Sequence, residues 1–331
     1  MRRASPFTRE GLVGVEADRR KSVALSVVVP IYNEEQCVDE LARRLTTVLE
    51  GMAIPYEIVL VNDGSRDRSL ERMIALHERD PRLKIVNLSR NFGHQLAVTA
   101  GLDHTLGDAV VIIDADLQDP PEVIPQLFER YQEGYDVVFA VRLKREKESA
   151  FKLITAKLFY RLFRWATDVD MPVDAGDFRL MSRKVVNALN RMGERHRMLR
   201  AMVSWAGFRQ TGVLYERAGR YAGTTKYPFR KMLRFALDGI ASFSVIPLKF
   251  ASWMGGIISL FAFAYAVWAV TSHLTGATVE GWTSLMVALT FLGGVQLLCL
   301  GIIGDYLGRV YEEAKGRPLY LVADFYGGDE G

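Results

Sequence analysis

Two uncharged apolar runs near the end of the sequence constrain this chain more than any other feature. Phe250 to Ser272 is 23 residues long, Gly281 to Gly304 is 24, and neither holds a formal charge. A helix needs about 20 such residues to cross a bilayer. The connector between them, His273 to Glu280, is too short to hold a domain. The runs therefore read as a transmembrane hairpin, residues 245–305, with both flanks on one side of a lipid bilayer. Arg230, Lys231, Arg234 and Lys249 precede it, and Arg309, Lys315 and Arg317 follow it; the connector has no Lys or Arg. Flanking cations stay on the cytoplasmic side. The expectation is a multi-pass protein of the inner (plasma) membrane, with the large N-terminal part and both termini in the cytoplasm.

The other bulk properties are consistent with this. Mean hydropathy is +0.06, high for a wholly soluble protein. The net charge of +3 gives no reason to expect a nucleic-acid partner. Cys37 and Cys299 lie far apart, which is neither a disulfide framework nor a zinc pattern. Residues 1–23 form a basic tail without the apolar stretch of a signal peptide, expected to be flexible and able to touch anionic lipid.

Residues 24 to 140 alternate strand and helix signals. Apolar runs at Leu25–Pro30, Glu57–Val61, Lys84–Leu88, Asp108–Ile113 and Asp136–Ala140 read as five strands, with helical spacing between them. That order predicts an α/β domain with a mostly parallel sheet and right-handed crossovers. Further on, Phe151, Ile154, Leu158, Leu162 and Trp165 share one helical face and Lys157, Arg161 and Arg164 another. An amphipathic interface helix over about 150–167 follows, with packing against the α/β domain as the alternative. Residues 228–244 read as a juxtamembrane helix and 306–331 as a cytoplasmic C-terminal tail.

Ligands of such sheets sit beyond the carboxyl ends of the strands, and polar motifs gather there. Pro30-Ile-Tyr-Asn-Glu34 follows strand one, Asn62-Asp63-Gly64-Ser65 strand two, and Asp114-Ala-Asp116-Leu-Gln118-Asp-Pro-Pro121 strand four. Singly, each has a local explanation: a turn at Asn62–Ser65, or a helix cap at Asp119. Jointly they line one sheet edge. Two carboxylates and an amide oxygen suit a hard divalent cation, which typically neutralises phosphate oxygens.

These motifs, with Asp177-Phe-Arg-Leu180, Lys226-Tyr227 and the stretch from Gly301 to Glu313, resemble the GT-A-fold (Rossmann-like) inverting glycosyltransferases of family 2. The likeness is to the polyprenyl-phosphate branch, which includes dolichol-phosphate mannosyltransferase and bacterial GtrB-type undecaprenyl-phosphate glucosyltransferases. It runs from about Leu25 to Val322 and implies a catalytic domain over residues 24–227. It further implies that Pro30, Tyr32 and Glu34 line the base and ribose of a nucleotide-sugar, and that Asp63, beside Val61, bonds to the base. Asp114, Ala115 and Asp116 would meet ribose and diphosphate. Asp116 and Gln118, with Asp114 as a third candidate, would ligate Mg2+ or Mn2+. Arg142, after strand five, would face the phosphates or the acceptor. Arg220 and Lys226 would close over anionic groups from a Gly- and Thr-containing loop, Gly219 to Thr225.

The implied reaction passes a hexose, with glucose from UDP-glucose favoured, to a polyprenyl (undecaprenyl) phosphate. GDP-mannose and UDP-amino sugars remain alternative donors. A phosphate monoester has a second pKa of about 6 and is mostly dianionic at neutral pH, so it needs no general base. Asp177 occupies the zone where other family 2 enzymes have a base, so its role is ambiguous; contact with sugar hydroxyls, with Arg179 as its neighbour, is the favoured expectation. A dehydrogenase would need a Gly-x-Gly-x-x-Gly turn after strand one, where Pro30–Glu34 stands. A processive synthase would carry Gln-x-x-Arg-Trp, but Arg161 precedes Arg164-Trp165. A non-catalytic membrane scaffold is at odds with the full motif set. Gly255, Gly256, Gly293, Gly294, Gly301, Gly304 and Gly308 allow close helix packing within the hairpin or between copies in a homo-oligomer.

The hairpin reading predicts a specific labelling pattern. In a background lacking the native cysteines, a cysteine at Thr275 should react with an impermeant thiol reagent added to intact cells. Tags at either terminus should resist external protease. External labelling of a cysteine at residue 60 would reverse the orientation.

Overall fold

The computed structural model describes residues 23–143, 175–195, 197–216, 246–275 and 281–327. The chain forms two compact units. One holds the N-terminal part and residues from Pro318 onwards, the other the hairpin region up to Arg317. The expected helices over 150–167 and 228–244, nearly all of the basic tail, and Arg220 and Lys226 lie outside the described residues.

The first unit is built on an eight-stranded sheet. In chain order its elements are β1 Leu25–Ile31, α1 Val38–Gly51, β2 Tyr56–Asn62, α2 Ser69–Arg79, β3 Leu83–Leu88, α3 His94–Asp103 and β4 Ala109–Ile112. A 3-10 turn at Pro121–Val123 leads into α4 Ile124–Gln132. Then come β5 Val137–Arg142, β6 Ala175–Ser182, α5 Arg183–Arg191, α6 Leu199–Trp205 and β7 Gln210–Tyr215, with β8 Val322–Tyr326 last. The strand order is β7-β5-β6-β4-β1-β2-β3-β8.

β1 pairs in parallel with β2 and β4, and β2 with β3. Every residue of β1 and β2 is buried, as expected for central parallel strands covered on both faces. That burial is why their sequences are near-continuous apolar runs. β5 and β7 form a second parallel pair. β6 runs antiparallel to both β4 and β5 and joins the two groups. The five strands expected from sequence are present, and the sheet is mostly parallel. Arg142 is the last residue of β5 rather than a loop residue beyond it.

The amino ends of the central strands are clasped by one buried carboxylate. Glu57 accepts from Ser26 Oγ at 2.6 Å, Leu106 N at 2.6 Å and Lys84 Nζ at 2.7 Å. With those ends fixed, the polar loops fall at the opposite edge.

The second unit consists of α7 Ile246–Leu274 and α8 Trp282–Ala314. Both are long and apolar enough to cross a membrane, with mean hydropathy 1.3 over Leu248–Tyr265 and 2.1 over Val287–Ala314. Trp253, Phe261 and Leu297 are 74%, 72% and 72% exposed. Apolar side chains in such numbers on a surface call for a non-aqueous neighbour. The second helix continues to Ala314, beyond residue 305, and Asp305 and Arg309 pair across one turn of this extension at 3.1 Å. Residues 306–327 of the expected C-terminal tail contain the end of α8 and then β8, which pairs antiparallel with β3.

Candidate active site

The loops after β1 and β2 are laced together by backbone and side-chain bonds. Asn33 N donates to Ser65 Oγ at 3.0 Å, and Arg66 N donates to Asn33 Oδ1 at 2.8 Å. Glu34 N donates to Ser69 Oγ at 3.0 Å. Asn33 adopts a left-handed conformation, φ 55°, which asparagine tolerates better than most residues. Pro30 and Val61 are buried and register opposite each other in β1 and β2, while Tyr32 is exposed and Glu34 half-buried beside it. Gly64 has φ +63°, and a Cβ there would lie 2.4 Å from the Arg90 carbonyl carbon. Only glycine meets both conditions.

Asp63 follows β2 and is buried. Its carboxylate accepts from Phe92 N at 2.7 Å, Gly93 N at 3.0 Å and Asn91 Nδ2 at 2.9 Å. Burial raises its pKa despite these bonds. Asp63 thus fixes the β3–α3 loop, and that loop delivers His94, the first residue of α3, to the sheet edge.

His94 is the hub of the site. Its Nε2 lies 3.3 Å from Asp177 Oδ2 and 3.6 Å from Asp114 Oδ1. Burial works against its protonation, but the bond to Asp177 and the charges of Asp114, Asp177 and Asp63 outweigh it, and its pKa is pushed up to about 9. Asp177, on β6, also accepts from Gln95 Nε2 at 3.2 Å and lies 3.5 Å from Arg200 and 3.7 Å from Arg179. Burial alone would raise its pKa; His94, Arg200 and Arg179 instead hold it well below the usual carboxylate range. Asp114 has weaker support. Burial pushes its pKa up to about 6, and the downward pull of His94 is countered by Asp177, Asp119 and Asp116.

Arg142 reaches the same edge from the last position of β5. Its Nε donates to Tyr215 Oη at 3.3 Å, and Tyr215 Oη donates to Asp119 Oδ1. Asp119 therefore binds β7 rather than capping the following helix. A Cβ on Gly176 would lie 3.1 Å from the Arg142 guanidinium, so the missing side chain leaves room for it. Burial opposes the Arg142 charge, yet Tyr215, Asp119 and Asp114 raise its pKa further.

Asp116 Oδ1 accepts from Gln118 N at 3.1 Å across Leu117, whose φ is +57°. Such strain in a non-glycine residue persists where the surroundings enforce it. Ala115 beside it is buried. Asp114 Oδ1 is buried without a hydrogen-bond partner, an acceptor that a cation would satisfy. Among the described residues no group of three or more His, Cys, Asp or Glu is arranged as a metal cage. One or two carboxylates, an amide oxygen and substrate phosphates are the usual holders of Mg2+. The donors at Asp114, Asp116 and Gln118 fit that pattern.

The structure thus brings Asp63, Asp114, Asp116, Asp177 and Arg142 to one edge, with Pro30, Tyr32, Glu34, Val61, Ala115 and Gln118 in the loops and strand ends there. The sequence reading overlooked Asn91, His94, Gln95, Arg200 and Tyr215. For Asn91 and His94 a signal existed, since Asn91-Phe-Gly-His94 follows the third strand. Arg200 and Tyr215 carry no local motif.

The model for glycosyl transferase family 2 matches residues 26–189, and that for the GtrB C-terminal hairpin matches residues 246–310. An uncharacterized glycosyltransferase of Synechocystis sp. is 51% identical over 307 residues, 92% of this chain and 96% of its own. The SfII prophage-derived bactoprenol glucosyl transferase of Shigella flexneri is 40% identical over 306 residues, 92% of this chain and 99% of its own. A solved glucosyl-3-phosphoglycerate synthase of Mycobacterium tuberculosis, with Mn2+ and UDP bound, is 20% identical, covering 73% of this chain and 84% of its own at TM-score 0.44.

The raised pKa of Asp114 has a testable consequence. Its folded value of about 6 exceeds the reference value of 3.8, so its contribution favours folding below about pH 4 and is lost as pH rises through 6. In metal-free buffer, Asp114→Asn should raise the melting temperature most at pH 8 and only about half as much at pH 5, which lies inside the titration window. An equal shift at both values would contradict the assignment.

Proposed function

The chain belongs to glycosyl transferase family 2, and on that premise we propose that it transfers glucose from UDP-glucose to undecaprenyl phosphate. The observation that carries the lipid acceptor is the joining of a family 2 catalytic sheet and a GtrB hairpin in one chain. The likeness to the bactoprenol glucosyl transferase of Shigella flexneri supports the same acceptor and sugar. β8 supports a hairpin with both ends on one side of the membrane. It follows α8 in the chain yet belongs to the catalytic sheet. The distribution of Lys and Arg favours the cytoplasmic side.

The reaction is a single displacement. A dianionic lipid phosphate oxygen attacks the anomeric carbon as the bond from that carbon to the diphosphate oxygen breaks. Inversion turns an α-linked donor into a β-linked lipid phosphosugar and leaves UDP. No proton must be removed from the nucleophile. The protein's task is to bring together two anions that repel each other, and positioned cations serve it. Arg142 is set for this role by Tyr215, and Arg220 and Lys226 are assigned to it by family likeness. Asp177 is a weak base because His94, Arg179 and Arg200 stabilise its ionised form, which supports a role in holding sugar hydroxyls. Mg2+ or Mn2+ held by Asp116 and Gln118, with Asp114, would supply charge neutralisation on the diphosphate.

A donor screen tests the proposal. Purified full-length enzyme, undecaprenyl phosphate and Mg2+ or Mn2+ are incubated with UDP-glucose, UDP-amino sugars or GDP-mannose. UDP-glucose should give a lipid product heavier by one hexose, with the anomeric coupling of a β linkage. An α-linked product, or no lipid-linked sugar from any donor, would contradict it.

A further inference from the structure

A continuous path of side-chain hydrogen bonds runs from β8 to the loop after β1. Asn87 Nδ2, on β3, donates to Asp324 Oδ2 on β8 at 2.8 Å. Asn62 Nδ2, on β2, donates to Asn87 Oδ1 at 2.8 Å. Ser65 N donates to Asn62 Oδ1 at 3.2 Å, and Ser65 Oγ accepts from Asn33 N at 3.0 Å. Asn62 and Asn87 are buried, 2% and 9% exposed, so an unmatched amide there is costly.

The chemistry of the path gives it a direction. An amide side chain can turn and exchange its donor and acceptor ends, whereas an ionised carboxylate can only accept. Asp324 therefore holds the Asn87 nitrogen toward β8 and its oxygen toward Asn62. Asn87 in turn holds the Asn62 nitrogen toward itself and the Asn62 oxygen toward the Ser65 N–H. Without Asp324 both amides can reverse, and the Asn62 nitrogen would then face the Ser65 N–H, donor against donor. Ser65 would lose one of its constraints, and through it Asn33, which lies between Tyr32 and Glu34.

We propose that Asp324 and Asn87 are positioning residues for the nucleotide-sugar donor, setting the Tyr32–Glu34 loop through Asn62 and Ser65. This rests on the proposed function, in which that loop lines base and ribose. Because β8 follows α8 in the sequence, the donor site depends on a segment that the chain reaches only after the hairpin. A second contact of the same segment, Tyr320 Oη to Asp103 Oδ2 at 2.5 Å, lies off the path and anchors it to the end of α3.

The test compares full-length wild type with Asp324→Ala, Asp324→Asn, Asn87→Ala and Tyr320→Phe. The readouts are UDP affinity by calorimetry, KM for UDP-glucose and for undecaprenyl phosphate, and melting temperature. Asp324→Ala and Asn87→Ala should weaken UDP binding and raise donor KM about fivefold, the effect of one lost hydrogen bond, with acceptor KM unchanged. Asp324→Asn, which still offers an oxygen, should fall between Ala and wild type, and Tyr320→Phe should bind UDP normally. Wild-type UDP affinity in both alanine variants would overturn the inference alone. So would equal weakening in Tyr320→Phe, which would reduce β8 to a general anchor. A wild-type protein that binds no UDP would overturn the proposed function and this inference together.

Discussion

Several carboxylates can share one edge of this sheet only because cations lie between them. Asp63, Asp114 and Asp177 all act on His94, and Asp116 and Asp119 add to the negative field at Asp114. Like charges in a poorly hydrated place raise one another's pKa. His94 sits between Asp114 and Asp177, while Arg179 and Arg200 reach Asp177 from the other side. The cost of burying these charges is offset only while each keeps its partner. The fold supplies that geometry: β6 brings Asp177 between β4 and β5, and Asp63 ties down the loop that carries His94.

The division of labour between the carboxylates follows from this arrangement. Asp177 is saturated with cations and gains little by taking a proton, so it suits holding a substrate in place. Asp114, less fully compensated, and Asp116 beside Gln118 in the same loop suit a site that gains a divalent cation with its substrate. An acceptor that is already an anion matches this edge, where Asp177, the carboxylate that could serve as a base, is held ionised by His94, Arg179 and Arg200. Exposed apolar helices in the same chain fit an acceptor carried on a lipid.

Much of this was legible in the sequence, and the limits have physical causes. β1 to β5 could be read because strands buried on both faces must be apolar, and because Pro30–Glu34, Asn62–Ser65 and Asp114–Pro121 mark where they end. β6 was hidden because Asp177 and Arg179 interrupt its apolar run; Asp177 is tolerated there through His94 and Gln95 of α3 and Arg200 of α6, and Arg179 through Asp177 and the carbonyls of Gly176 and Asp177. β7 opens with Gln210-Thr-Gly, and β8 is a short, exposed edge strand, so neither shows a clear alternation. His94 could have been found by applying the strand-end rule to β3. Arg200 and Tyr215 could not, since their roles depend on a tertiary approach to Asp177 and Asp119. The hairpin was plain from length and charge, but the return of the chain to the sheet as β8 depends on pairing with β3.

The central claim is that lipid phosphate attacks without a general base while cations bring the two anions together. The most direct measurement is turnover at saturating donor and acceptor for Asp177→Asn beside Arg142→Ala and Arg220→Ala, with melting temperatures confirming that each is folded. The account predicts that the two arginine variants lose about 10²–10³ in turnover, as for other aimed charges, and that Asp177→Asn loses clearly less. A folded, inactive Asp177→Asn beside active arginine variants would contradict it and make Asp177 the catalytic base.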